Sequence, residues 1–223
     1  MKYKAIIFDM DGTIIDTEKL WQQATIDLIT KKGLDLKHHD IQHLKDTLKG
    51  LAMHASCAFI KEKFDLNDHL HDLIQEKIAI ALNLYDKNIA FIEGFEDFFR
   101  KVKGHNLATA IATNAENKGL KKSIEHLQLD RFFGKHIYNI AHVNMIHKPS
   151  PDVYLYAARQ IGVKPEDCIA IEDSHHGVKA ARDAGMFCIG INTGKDLHQL
   201  REAHHIVDSY KDICLKTLLP KKK

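Results

Sequence analysis

Ala5-Ile6-Ile7-Phe8-Asp9-Met10-Asp11-Gly12-Thr13 is the stretch that decides how this chain folds. Its apolar residues stop abruptly at an acid, the mark of a short buried strand. Two runs of the same kind follow: Leu107 to Ala112, ending at Thr113, and Cys168 to Ile171, ending at Glu172 and Asp173. Ile137 to Ile140 and Phe187 to Ile191 are weaker candidates, and Ile206-Val207 suits a short edge strand. Helical patterns lie between them. Gly119 to Leu129 places Leu120, Ile124 and Leu127 on one face. Ser150 and Pro151 read as the N-cap and first residue of a helix carrying Tyr154, Ala158 and Ile161 on its apolar stripe. Gly177 to Ala184 turns Val178, Ala181 and Ala184 inward, and Gly185 ends it. Strands alternating with helices predict an α/β domain, with a parallel sheet covered on both faces.

Residues 17–88 break the rhythm. Trp21, Ala24 and Leu28 recur at helical spacing before Gly33, and Ile41, Leu44 and Leu48 do so before Gly50. Leu51, Ala55, Ala58 and Phe59 form a third stripe, and Leu70 to Tyr85 a long fourth one. No proline precedes Pro149 to interrupt them. The expected organisation is a core of residues 1–16 and 89–223 with an inserted all-helical domain of residues 17–88.

With 223 residues, 44% hydrophobic, the chain has ample material for a packed core. A net charge of +2 gives no reason to expect nucleic acid or an acidic membrane surface as a partner. Cys57, Cys168, Cys188 and Cys214 are too scattered for a zinc site or a disulfide framework. That scatter suits a reducing cytosol, and no apolar run is long enough for a signal peptide or membrane span; a cytoplasmic protein, by default a monomer, is the expectation. The 16 histidines fall partly in pairs, His38–His39, His175–His176 and His204–His205. A metal role and a solvated or capping role are both open to them. The terminal Lys221-Lys222-Lys223 reads as a solvated tail.

Ligands of an open parallel sheet bind at the carboxyl ends of the strands. Asp9 and Asp11, Thr113 and Asn114, and Glu172 and Asp173 should therefore converge, although they are far apart in sequence. Two carboxylates in Asp9-Met10-Asp11-Gly12-Thr13 suit a nucleophile toward phosphorus and an acid/base. The plainer reading is a strand-capping turn, since Asp and Gly both form turns. Thr113 and the following N–H groups suit phosphate oxygens, or else a capping box with Glu116. Lys148, held extended by Pro149, suits charge neutralisation, though most lysines are simply solvated. Adjacent Glu172 and Asp173 repel one another unless a hard cation such as magnesium lies between them. Capping by Asp173 or Ser174 is the alternative.

Taken in order, these four segments resemble the haloacid dehalogenase superfamily of phosphotransferases, from about Lys4 to Asp208. The resemblance implies a Rossmann-like core and a helical cap that closes over the site. It implies Asp9 as nucleophile and Asp11 as general acid/base. Thr113 and Asn114 would contact the phosphoryl group, with Lys148 stabilising charge. Mg2+ would be held by Asp9, Glu172, Asp173 and the backbone carbonyl of Asp11. Dehalogenases and phosphonate-cleaving relatives lack an acid where Asp11 stands, so cleavage of a phosphate ester is implied.

Leu48-Lys49-Gly50 is similar to part of the cap signature of beta-phosphoglucomutase. That group has an arginine where Met53 stands and a histidine where Trp21 stands, and both departures count against a mutase. Asp16 to Trp21 looks more like the sugar-phosphate phosphatases. The expectation is a magnesium-dependent phosphatase of a small phosphomonoester, with Trp21, Lys49 and Met53 as candidate substrate contacts. A phosphomutase is the alternative, and a non-catalytic binding protein a more remote one.

Overall fold

The computed structural model describes residues 3–48 and 53–218. Lys49, Gly50, Leu51 and the terminal lysines lie outside them, as do the side chains of His38 and His39. The chain divides into two compact units, Met1–Asp16 with Ala90–Lys223, and Thr17–Ile89.

The first unit is a Rossmann-like α/β fold. Its strands are β1 (Ala5–Phe8), β4 (Ala108–Thr113), β5 (Ile137–Asn139), β6 (Cys168–Glu172), β7 (Phe187–Ile191) and β8 (His205–Val207). They form one sheet in the order β5-β4-β1-β6-β7-β8, and every pairing is parallel. β1 therefore runs between β4 and β6, with Phe8 level with Ile111 and Ile171. Side chains alternate across the sheet. Ala5, Ile7, Ala110, Ala112 and Ala170 pack against α8 (Asp152–Gln160) and α9 (His175–Asp183). Small strand residues on that face let the two helices lie close to the sheet. Phe8, of opposite parity, meets Phe95, Phe98, Phe99 and Phe133 on the other face.

That second face belongs to α5 (Phe95–Gly104), a helix absent from the expectations above. Its signal was present: Phe95, Phe98, Phe99 and Val102 follow helical spacing, with Glu96 and Asp97 in the first turn and Lys101 and Lys103 in the last. A two-residue antiparallel pair, β2 (Ile15–Asp16) with β3 (Ala90–Phe91), was also not foreseen.

Two helix starts differ from expectation, and a third, at Ser174, is the capping alternative given above. α6 (Asn117–Leu127) has Glu116 at its N-cap, so Thr113 and Glu116 form no capping box. Thr113 Oγ1 instead accepts from the Ala115 N–H at 3.0 Å. α8 begins at Asp152 with Pro151 at the cap, and Ser150 Oγ donates to the Asp152 carboxylate. α9 starts with Ser174 as its cap, accepting from the Gly177 N–H. Capping therefore makes no use of Asp173.

The second unit is all-helical: α1 (Glu18–Lys31), α2 (His38–Leu48), α3 (Met53–Lys63) and α4 (Leu70–Asn88). Ile29, Leu44 and Ile60 centre one of its apolar clusters. Lys32 ties its elements together electrostatically, 2.6 Å from Asp68 and 2.7 Å from Glu76. Among the described residues, no helix is long and apolar enough to cross a membrane.

Candidate active site

The carboxyl ends of β1, β4 and β6 deliver the site. After Phe8 the chain stays beside β6 for one more residue, with the Asp9 N–H donating to Ile171 O at 3.0 Å. It then turns sharply, Ile14 and Ile15 both donating back to Met10 O. Gly12 adopts a positive φ of 84° in this turn, which glycine adopts without strain. It also makes room: a Cβ there would lie 2.1 Å from Asp173 Oδ2. Thr193 Oγ1 donates to Gly12 O at 2.7 Å and Tyr210 OH to Thr13 O at 2.9 Å, pinning the loop from later elements.

Lys148 is the hub. Its Nζ lies 2.6 Å from Asp9 Oδ1 and 2.6 Å from Glu172 Oε1. Asp173 stands beside them, its Oδ1 accepting from Thr13 Oγ1 at 3.0 Å. Asp9, Glu172 and Asp173 each offer an oxygen within 4.8 Å of the others. Among the described residues this is the one cluster of three such groups, so no histidine joins one.

Glu172 is fully buried and has both oxygens occupied. Oε1 accepts from Lys148 Nζ and from Tyr154 OH at 2.8 Å. Oε2 accepts from the Asp173 N–H and Ser174 Oγ, both at 3.2 Å. Gly177 is required by this arrangement, because a Cβ there would fall 1.9 Å from Glu172 Oε1.

With all three carboxylates ionised against one ammonium, two negative charges would stand uncompensated in a buried place. Burial pushes the Asp9 carboxyl well above the usual range, opposed by Lys148. Burial and the Glu172 charge push Asp173 up to about 7. Burial would lower the Lys148 ammonium, but Asp9 and Glu172 outweigh it and hold it above its ordinary value. Hard oxygen ligands carrying two excess negative charges are the donor set that Mg2+ takes. Asp9, Glu172 and Asp173 supply that donor set, with Glu172 the most heavily engaged by protein donors of the three.

Asn114, expected to touch phosphate, turns its Oδ1 to the Lys148 N–H at 2.9 Å and so helps seat the lysine. Thr113 is buried at the end of β4, its hydroxyl fixing the turn described above. Asp11 is half-buried and lies outside the cluster of three. Two further residues shape the site without a polar role expected from the sequence. Tyr154 read as part of an apolar stripe, but its hydroxyl reaches Glu172. Asn139, at the end of β5, donates from Nδ2 to Ala115 O and Asn117 Oδ1, bracing the loop that follows Thr113.

In the second unit, Trp21 is half-buried on α1, and half-buried Met53 opens α3 and takes a contact from Cys57 Sγ. Lys49 lies outside the described residues. Lys77, not singled out from the sequence, is buried and donates to Ser56 Oγ at 2.7 Å. Burial lowers its ammonium below the ordinary lysine value. Some histidines have structural work: His204 Nδ1 accepts from the Cys188 N–H, and His142 closes a capping box with Asn139.

A family model described as haloacid dehalogenase-like hydrolase matches residues 6–191. A fructose-1-phosphate phosphatase of Escherichia coli is 30% identical over 191 residues, covering 85% of this chain and 97% of that protein. A hexitol phosphatase B of Escherichia coli is 30% identical over 186 residues, covering 82% and 80%. The crystal structure of a beta-phosphoglucomutase from Clostridium difficile superposes with a TM-score of 0.72 at 25% identity, covering 97% and 95%.

Proposed function

Because the chain belongs to the haloacid dehalogenase-like hydrolase family, we propose that it is a magnesium-dependent phosphatase of a small phosphomonoester, with a sugar or sugar-alcohol phosphate as the substrate class. One observation carries this reading: a buried lysine holds the carboxylate at the end of β1 at 2.6 Å, beside two acids from the end of β6. The phosphatases to which the chain is similar support the substrate class.

Asp9 attacks phosphorus with a carboxylate oxygen, and the bond from phosphorus to the ester oxygen breaks. Lys148 orients that carboxylate and offsets charge gathering on the phosphoryl oxygens. Asp11 gives its proton to the departing alkoxide, a poor leaving group at neutral pH unless protonated. The aspartyl phosphate is then hydrolysed by water that Asp11, now a base, deprotonates. Asp9, Glu172, Asp173 and the backbone carbonyl of Asp11 would hold Mg2+, directly or through water, and its charge would neutralise the phosphoryl oxygens when it is bound. Glu172 also seats Lys148, 2.6 Å from its Nζ. Thr113 and Asn114 support the phosphate-facing end of β4. The helical unit serves as a cap that selects the substrate, with Trp21, Lys49 and Met53 as contacts.

A phosphomutase is the second reading, favoured by the similarity to beta-phosphoglucomutase. Wild type and Asp9→Asn are assayed with Mg2+ on hexose and hexitol phosphates for phosphate release, and on beta-glucose 1-phosphate for isomerisation. Phosphate release that Asp9→Asn abolishes supports the phosphatase. Efficient conversion to glucose 6-phosphate without phosphate release overturns it in favour of the mutase. Turnover equal in both proteins removes Asp9 from the chemistry.

A further inference from the structure

Tyr154 sits on α8, on the face packed against the sheet, and is fully buried. Its hydroxyl donates to Glu172 Oε1 at 2.8 Å and lies 3.5 Å from Lys148 Nζ. Its ring lies under the same ammonium, with Nζ 4.7 Å from the centroid. The tyrosine therefore meets both members of the ion pair that seats the nucleophile. A carboxylate accepts about four hydrogen bonds, and those of Glu172 come from Lys148, Tyr154, Asp173 and Ser174. With every position filled, Glu172 has no freedom to swing. Lys148, bonded to Glu172 on one side and Asp9 on the other, is fixed in turn.

We propose that Tyr154 is a positioning residue for the nucleophile, holding Glu172 by its hydroxyl and Lys148 by its ring so that the ammonium stays aligned on Asp9. The inference rests on the reading of Asp9 as the nucleophile. Removing the hydroxyl alone leaves a lone pair on Glu172 Oε1 open. Glu172 can then rotate and draw Lys148 with it, away from Asp9. Tyr154 is fully buried, with no surface to offer a substrate, so the loss should fall on the chemical step. The helix position accounts for the geometry: Tyr154 follows Lys148 by six residues, and the cap at Pro151 starts α8 so that this ring turns back toward the lysine.

The test compares wild type, Tyr154→Phe, Lys148→Met, the double variant and Asp9→Asn, with steady-state phosphatase kinetics and thermal melting. Phenylalanine keeps the ring and removes the donor. Expected for Tyr154→Phe is a kcat about tenfold lower with KM within about twofold, the size of one hydrogen bond to a charged group. Because the tyrosine acts through the lysine, adding Tyr154→Phe to Lys148→Met should cost less than about twofold more. A kcat equal to wild type, or a full additive loss in the Lys148→Met background, overturns the inference. So does a Tyr154→Phe protein that fails to fold, since the hydroxyl would then be structural. Persisting turnover in Asp9→Asn instead sinks the nucleophile reading, an outcome separate from these.

Discussion

Replacing Gly177 with alanine should damage this protein, although alanine is the better helix residue. Gly177 lies in α9, and an alanine at an unstrained helix position commonly adds about 0.5–1 kcal/mol of stability. Here its Cβ would stand 1.9 Å from Glu172 Cδ and Oε1, and 2.0 Å from Oε2. Ordinary contact between such atoms is near 3.5 Å, so the carboxyl must retreat by roughly 1.5 Å. That breaks its 2.6 Å contact with Lys148 and its 2.8 Å bond from Tyr154. Disrupting a buried ion pair costs about 3–5 kcal/mol. The helix gain offsets little of this, leaving a net loss of about 2–4 kcal/mol. For a chain of this size that lowers Tm by about 5–15 °C, and kcat should fall by about a hundredfold or more. Gly119 is the control, in α6 with nothing within 4 Å of its added Cβ. Gly119→Ala should raise stability by about 0.5–1 kcal/mol and leave activity intact. Melting curves and phosphatase kinetics on both variants decide it. A Gly177→Ala protein as stable and active as Gly119→Ala would refute the packing argument around Glu172.

Proton linkage gives a further outcome. Asp173 is raised from 3.8 to about 7 in the metal-free protein, so the folded state keeps a proton that the unfolded state loses between those values. Metal-free stability should therefore fall as pH rises through that window, and Mg2+ added near pH 6 should release protons, read by calorimetry in buffers of different ionisation enthalpy. Proton-neutral binding would contradict it. In the helical unit, Lys31 and Lys32 hold Glu76 below its ordinary value, and Lys32 does the same for Asp68. Their stabilisation is present above the unfolded pKa values and lost as pH falls through the lower folded ones, so Lys32→Gln should flatten the acid side of a pH–stability curve. Lys77 is shifted the opposite way for a base, downward by burial. Lys77→Met should raise Tm, with the gap narrowing as pH climbs toward 10.5 and the wild-type lysine loses its charge. A gap that widened with pH would show that the ammonium is well accommodated.

The strands were legible because a fully buried parallel strand needs an unbroken apolar run, and each of the three central runs ends at a polar residue with chemistry to offer. β1, β4 and β6 lie within a residue of those runs. The convergence of Asp9, Glu172 and Asp173 followed from strand-end geometry alone, since a parallel sheet gathers its carboxyl ends on one edge. Lys148 was legible only as one member of an ordered set; its backbone seat on Asn114 was not. Tyr154 was hidden because a tyrosine on an apolar stripe has the spacing of a core residue, and the sequence does not say where its hydroxyl ends. α5 is legible in the helical spacing of its phenylalanines, although it follows no strand that ends in an acid. Gly177 and Gly12 read as turn or helix punctuation, whereas both also clear space for acids from β6.

The most direct measurement is a chemical trap on Asp11→Asn turning over p-nitrophenyl phosphate with Mg2+. Its leaving group needs no proton, so attack by Asp9 proceeds, while water attack lacks its base and the phosphorylated enzyme accumulates. A burst of about one p-nitrophenolate per site, followed by borohydride reduction that converts residue 9 to homoserine by peptide mass, is the result predicted. No burst and an unmodified Asp9 under steady turnover, or homoserine at another carboxylate, would contradict the account.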